Sequence, residues 1–209
     1  MKLTLYTNPM SRGRIARMMC EELREAAGIE HETVLLDYGT TMKGPDYLAV
    51  NPMGKVPAIR HGDRVVTEAA AICLYLADAY PEAGLAPEPA DRADYYRWTF
   101  FAAGPMEAAI TDRALGLNPT DPREHGRTGY GSLERVADAL DGWLSGREYV
   151  AAGRFTAADV YVGSAVSWGL QFGTLPERPS FRAYAERLMR RPAVARAGAI
   201  DDALTPPRT

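Results

Sequence analysis

Three short stretches of the 209-residue chain carry groups that could bind and activate a small acid or thiol: "NPMSR" (8–12), "NPMGKVPA" (51–58) and "TEAAA" (67–71). Ser11 precedes a helix-like stretch. Its hydroxyl can cap that helix by accepting from the backbone. Alternatively, near the positive end of the helix dipole, it can donate to a ligand thiolate. A free thiol has a pKa of ~8.5, so roughly 3% is ionised at pH 7. Lowering that value to ~6.5 gives about 75% thiolate and takes ~2.7 kcal/mol of preferential stabilisation. One hydroxyl and one helix N-terminus together are of that order.

Val56 and Pro57 follow the Gly54 and Lys55 turn and lead into a strand. Proline there is either a trans residue on an edge strand or a cis one. The cis form would turn the Val56 N–H and C=O outward, where an extended peptide can pair with them as an added strand. At Glu68 and Ala69 a strand gives way to a helix. The first-turn N–H groups either take a cap from Thr67 or point at an anion such as a carboxylate.

The elements that must hold these stretches follow from periodicity. "KLTLYT" alternates like a half-buried strand, and "RIARMMCEELREAAG" repeats Ile15, Met18, Met19, Leu23 and Ala26 at helical steps, with Gly28 at the C-cap. "HETVLLD" is a second strand. After a polar segment from Asp37 to Ala49, irregular or with a short helix, "KVPAIR" and "RVVTE" flank "HGD" as a hairpin, and Ala69, Ile72, Cys73, Leu76 and Ala79 mark another helix. This alternation predicts an α/β domain with a mixed sheet over residues 1–80.

A proline-rich linker spans 81–90. Beyond it, 91–209 reads as all-helical, with a helix interrupted near Pro105 and amphipathic helices in "SLERVADALDGWL" and "SFRAYAERLMRRP". In "RFTAADVYV", Thr156 and Asp159 form a capping box, with Phe155 and Val160 placed as a hydrophobic staple. This motif is structural.

Composition excludes several classes. With 24 basic and 27 acidic residues interleaved, no basic face advertises nucleic acid. The N-terminal stretch lacks the apolar core of a secretion signal, which predicts a cytoplasmic protein. The uncharged run from Val160 to Pro176 falls short of the ~18 apolar residues of a membrane span. Cys20 and Cys73 make neither a disulfide framework nor a C-x-x-C pair. His31, His61 and His125 are too far apart for a local metal motif, so no metal is expected.

In this order, the three stretches and the capped "FTAAD" helix make the chain similar, over nearly its whole length, to soluble, cytosolic-type glutathione transferases. It most resembles their serine type, as in the phi class and in theta-like bacterial members. The resemblance implies a thioredoxin-like first domain binding glutathione as co-substrate, an all-helical second domain supplying most of the pocket for a small hydrophobic electrophile, and a homodimer. "NPMS" puts Ser11 in the place of the thiol-activating serine. Asn8 is the alternative donor, because some members place the active residue a few positions earlier.

"NPMGKVPA" matches the family's N-P-x-G-x-V-P-x signature. That match implies a cis Pro57, Val56 paired with the cysteinyl backbone, and Lys55 near the glycine carboxylate. Lys43 is a family-like basic residue or an exposed lysine. The family carries Glu-Ser where this chain has Glu68 and Ala69, so one hydroxyl to the γ-glutamyl carboxylate is missing. Tyr95, Trp98, Phe101, Pro105, Met106 and Trp168 supply apolar surface, most of it core, for the second pocket.

The implied reaction is thioether formation by conjugation, as in detoxification. Other readings are a non-catalytic ligand-binding or interaction module, and glutathione-dependent reduction or isomerisation. No cysteine stands in the "NPMS" loop for disulfide exchange.

Overall fold

The computed structural model describes residues 1–117 and 121–205. Contacts divide the chain into two units, Met1–Ala86 with the segment from Arg190 onward, and Pro87–Met189. The first unit holds a four-stranded sheet in the order β2-β1-β3-β4, formed by β1 (Leu3–Thr7), β2 (Glu32–Leu35), β3 (Ala58–His61) and β4 (Arg64–Thr67). β1 runs parallel to β2 and antiparallel to β3, and β3 and β4 are the expected hairpin. This is the predicted mixed sheet.

α1 (Gly13–Ala27) crosses from β1 to β2 and stops at Gly28, whose φ of 69° is the left-handed conformation of a glycine C-cap. The segment after β2 contains α2 (Pro45–Leu48), and α3 (Ala69–Ala79) follows β4. Side chains alternate across the sheet. One face carries Tyr6 and Ala58, packed with Leu36, Met42, Tyr47 and Val50. The opposite face carries Leu3, Leu5 and Ile59, which are buried, as are Ile15, Met19 and Leu23 of α1 and Ile72 and Leu76 of α3. Thr7, two residues beyond Leu5, points to that second face.

The last described helix, α10 (Pro192–Leu204), packs on α1 in the first unit. Sequence periodicity had assigned all of 91–209 to the helical domain. Charge explains the difference. Arg17 and Asp201, 2% and 1% exposed in their side chains, pair at 2.7 Å. Glu22 accepts two bonds from Arg191, at 2.6 and 2.7 Å, and Glu21 pairs with Arg196. Such a face looks solvated in sequence. In the fold it is a polar seam, where each buried charge depends on its partner.

The second unit is helical as expected: α4 (Ala93–Phe101), α5 (Glu107–Ala114), α6 (Pro122–Arg127), α7 (Leu133–Leu144), α8 (Ala157–Gln171) and α9 (Pro179–Met189). Pro105 lies in a π turn, Ala102–Met106, that joins α4 to α5. The missing proline N–H is accommodated by widening the helix rather than by ending it. Thr156 and Asp159 form the capping box at the head of α8. Asp159 also accepts from the Val150 N–H and the Tyr184 hydroxyl, both at 2.7 Å, so one buried carboxylate ties a loop, α8 and α9 together. Burial pushes that carboxyl up from its ordinary value, and its hydrogen bonds oppose the shift.

Candidate functional site

The sheet register brings the three stretches to one place. Tyr6 pairs with Ala58 and Ala58 with Thr67. The chain leaving β1, entering β3 and leaving β4 therefore opens at the same end of the sheet. Two strand spacings separate the first loop from the third, about 10 Å, the length of roughly three extended residues.

Ser11 stands half-buried at the head of α1. Its Oγ accepts from the Gly13 N–H at 2.9 Å and donates to the Asn8 carbonyl at 2.7 Å. The oxygen thus accepts from the first N–H of α1 from one residue ahead of the N-cap, Arg12, while its proton sits on a backbone carbonyl at the loop. The first turn of α1 contains no acidic residue, so the helix end favours an anion, while Arg14 is taken up by Asp202 and the Pro9 carbonyl. Asn8 is placed differently. Its amide donates to the Leu36 carbonyl and its Oδ1 accepts from the Met10 N–H, at 2.8 and 2.9 Å. One end of that buried side chain thus closes the loop and the other ties it to the chain leaving β2.

The second stretch is braced from below. The Lys55 carbonyl accepts from the Tyr47 hydroxyl at 2.6 Å and the Asn51 amide at 2.8 Å. Lys43 Nζ donates to the Gly54 carbonyl at 2.6 Å, so Lys43 fastens this loop. The Val56–Pro57 peptide is cis. Among the described residues no hydrogen bond is made to the Val56 main chain, whereas Lys55 is exposed to solvent.

In the third stretch, Glu68 is the N-cap of α3 with φ 66° and ψ 118°. Positive φ in a non-glycine residue costs energy and is concentrated where a backbone must be aimed. No side chain caps this helix, so Thr67 does not take the capping role. The first helical bond runs from the Ile72 N–H to the Glu68 carbonyl, which leaves the N–H groups at Ala69 and the following residues open at the sheet end. Such an end attracts a carboxylate.

Ser11, Asn8, Val56, Pro57, Glu68 and Ala69 are therefore brought to one end of the sheet, with Lys43 beneath the middle loop. Sequence reasoning missed the braces. Tyr38 donates to the Met10 carbonyl at 3.0 Å, and Tyr47 and Asn51 hold Lys55. Asn51 also accepts from the Met53 N–H at 3.1 Å, an Asx turn that asparagine before proline could have signalled. Gly13, a poor helix former in a first turn, was the overlooked mark of a close approach.

The remaining candidates are quieter. Burial pushes the Cys20 thiol up to about 12 and raises Cys73 further, so neither supplies a thiolate at neutral pH. Among the described residues no group of His, Cys, Asp and Glu could hold a metal ion, and no helix is long and apolar enough to cross a membrane. In the second unit, Tyr95, Trp98 and Met106 are core, while Phe101, Pro105 and Trp168 are half-buried and retain surface.

Comparison with known proteins finds relatives over both units of the chain. The profile of the glutathione S-transferase N-terminal domain matches residues 15–79, and that of the C-terminal domain matches residues 124–192. Glutathione S-transferase 3 of Zea mays is 30% identical over 212 residues, covering 91% of this chain and 90% of its own. A crystal structure of a glutathione transferase from Methylococcus capsulatus is 30% identical, covers 96% of this chain and 99% of its own, and superposes with a TM-score of 0.76. A sphingomonad glutathione S-transferase complexed with glutathione is 29% identical, covering 95% of this chain and 98% of its own at a TM-score of 0.71.

Proposed function

The chain belongs to the glutathione S-transferase family, and from that premise we propose that it binds glutathione across the end of the first unit's sheet and conjugates it to small hydrophobic electrophiles. The observation that carries this reading is the row of open groups at that end: the Ser11 hydroxyl, the unpaired Val56 main chain and the uncapped head of α3. The span of about 10 Å suits an extended tripeptide. Its γ-glutamyl carboxylate lies at the α3 N–H groups, its cysteinyl backbone pairs with Val56, and its sulfur reaches Ser11. Lys55 lies near the glycine carboxylate.

The chemistry asked of the protein is ionisation of the thiol. Ser11 turns its O–H from the Asn8 carbonyl to the sulfur while the Gly13 N–H stays on its oxygen, and the thiol proton leaves to water. The thiolate then attacks an electrophilic carbon. A carbon–sulfur bond forms as the leaving group departs with its electron pair. Ser11 is preferred to Asn8 because both ends of the Asn8 side chain are already bonded, to the Leu36 carbonyl and the Met10 N–H. Within the second unit, Phe101, Pro105 and Trp168 are half-buried and keep apolar surface. A homodimer in the cytoplasm, of the serine type found in the phi and theta classes, completes the reading.

Ser11→Ala tests it with a chloronitrobenzene-type electrophile. A rise of about one unit in the bound thiol pKa, from ~6.5 to ~7.5, cuts the thiolate at pH 7 from about 75% to about 25%. This predicts a kcat/KM that falls roughly threefold at neutral pH and towards tenfold at lower pH. It also predicts a rate that recovers as pH rises. An undiminished rate would exclude Ser11 from the role. The second reading is a non-catalytic binding module. Retention on glutathione resin without turnover of any electrophile would select it.

A further inference from the structure

Beside Ser11 lies a second hydroxyl with nothing to bond to. Thr7, at the end of β1, is 0% exposed, and its Oγ1 is buried with no hydrogen-bond partner. A buried hydroxyl is ordinarily paired, and an unpaired one usually has a role or a partner that is absent. Its neighbourhood is specific. A methyl group added at Gly13 would stand 2.0 Å from Thr7 Oγ1 and 2.9 Å from Ser11 Oγ. The two hydroxyls therefore flank the same glycine-sized space, which only a residue without a side chain leaves open. Thr7 faces this space because it continues the Leu3 and Leu5 face of β1, against which α1 packs.

We propose that Thr7 is a positioning residue for thiol activation, its side chain turning about χ1 to bring its hydroxyl within donating distance of Ser11 Oγ past the bare Cα of Gly13 when the Ser11 proton turns to the ligand sulfur. This rests on the reading of Ser11 given above. In the ligand-free arrangement Ser11 Oγ accepts from the Gly13 N–H alone and gives its proton to the Asn8 carbonyl. A hydroxyl that accepts two hydrogen bonds is a stronger donor, because successive bonds polarise one another. Thr7 thus supplies the second accepted bond at the moment Ser11 needs donor strength, and its own orphaned proton finds an acceptor. No proton is transferred to Thr7, and no bond other than hydrogen bonds is made or broken.

The test is the pKa of the glutathione thiol in the binary complex, read from thiolate absorbance in the ultraviolet, with no electrophile present. Thr7→Val keeps the shape and removes the hydroxyl. It is expected to raise that pKa by about half to one unit, a threefold to tenfold loss of thiolate below it, with glutathione affinity within about twofold of the parent. Thr7→Ser keeps the hydroxyl and is expected to keep the parent value. Thr7→Ala serves if the valine variant does not fold, since either one, once folded by circular dichroism, decides the matter.

A merely structural hydroxyl predicts the opposite pattern. Removing an unpaired buried group then leaves the thiol pKa unchanged and raises the melting temperature, and that result overturns the proposal. The parent reading fails separately. If Ser11→Ala leaves the thiol pKa unmoved, or the unaltered protein does not bind glutathione, both readings fall. If Ser11→Ala raises it and Thr7→Val does not, only the role of Thr7 falls.

Discussion

Ala69 is the residue at which this chain departs from its own signature. With no side-chain cap on α3 and Glu68 held at φ 66°, a ligand carboxylate would rely on backbone N–H groups alone. A hydrogen bond to a charged group contributes about 1.5–3 kcal/mol. Ala69→Ser is therefore expected to tighten glutathione binding by about tenfold or more, and titration calorimetry on the two proteins measures it. Equal affinities would mean that the carboxylate does not lie at α3. Ser11, Pro57 and Glu68 were legible in the sequence because each stands at a boundary marked by proline, glycine or a change of period. Thr7 and Tyr47 were not. Their importance depends on which groups lie across a sheet face or beneath a loop, and one-dimensional spacing does not carry that information.

The elements were readable from period and punctuation, since α1 and α3 repeat apolar residues at helical steps and the β3–β4 hairpin is marked by its Gly-containing turn. Burial is less regular than that pattern, because β1 is buried on both faces and β4 has no buried residue. Contacts between elements were less visible. His61, at the end of β3, is 4% exposed. It stands 2.9 Å by Nδ1 from the Tyr75 hydroxyl of α3 and 3.1 Å by Nε2 from the Tyr80 hydroxyl. Burial is the main cause that holds its pKa below the ordinary 6.5, helped by the N-terminal charge and Arg64. A histidine whose folded pKa is depressed gives stability that is fully present above the unfolded value of ~6.5 and is lost as pH falls through the folded value. The melting temperature is therefore expected to drop between pH 7 and pH 5. His61→Gln, which keeps two polar ends without titrating, should show a smaller drop. Equal drops in both proteins would remove His61 as a contributor.

At the scale of the whole molecule, the first unit is not contiguous. Residues 87–189 form the second unit, and the chain then returns to place α10 on α1. Arg17, Glu21 and Glu22 are at most 2% exposed beneath that helix. Ending the chain before Arg190 would take away Asp201, Arg196 and Arg191 and leave an apolar sheet face covered by a helix whose charges have lost their partners. Removing one partner of a buried pair costs about 3–5 kcal/mol, and several are removed together. Such a truncation is expected to melt the first unit at ordinary temperature. Circular dichroism and limited proteolysis would report this, and a truncated protein with an intact first unit would refute it.

The seam between α1 and α10 also sets an order of events during synthesis. Contacts between residues so distant in sequence form late, and domains generally fold as their chains emerge. The strands at the N-terminus leave the ribosome first, but the helix headed by Ser11 must wait with its acids and arginines unmatched until residues 190–204 appear. A nascent chain stalled within residues 87–189 carries all three loops of the sheet end and yet lacks the helix that matches the charges of α1, so the first unit is finished only when residues 192–204 have joined it.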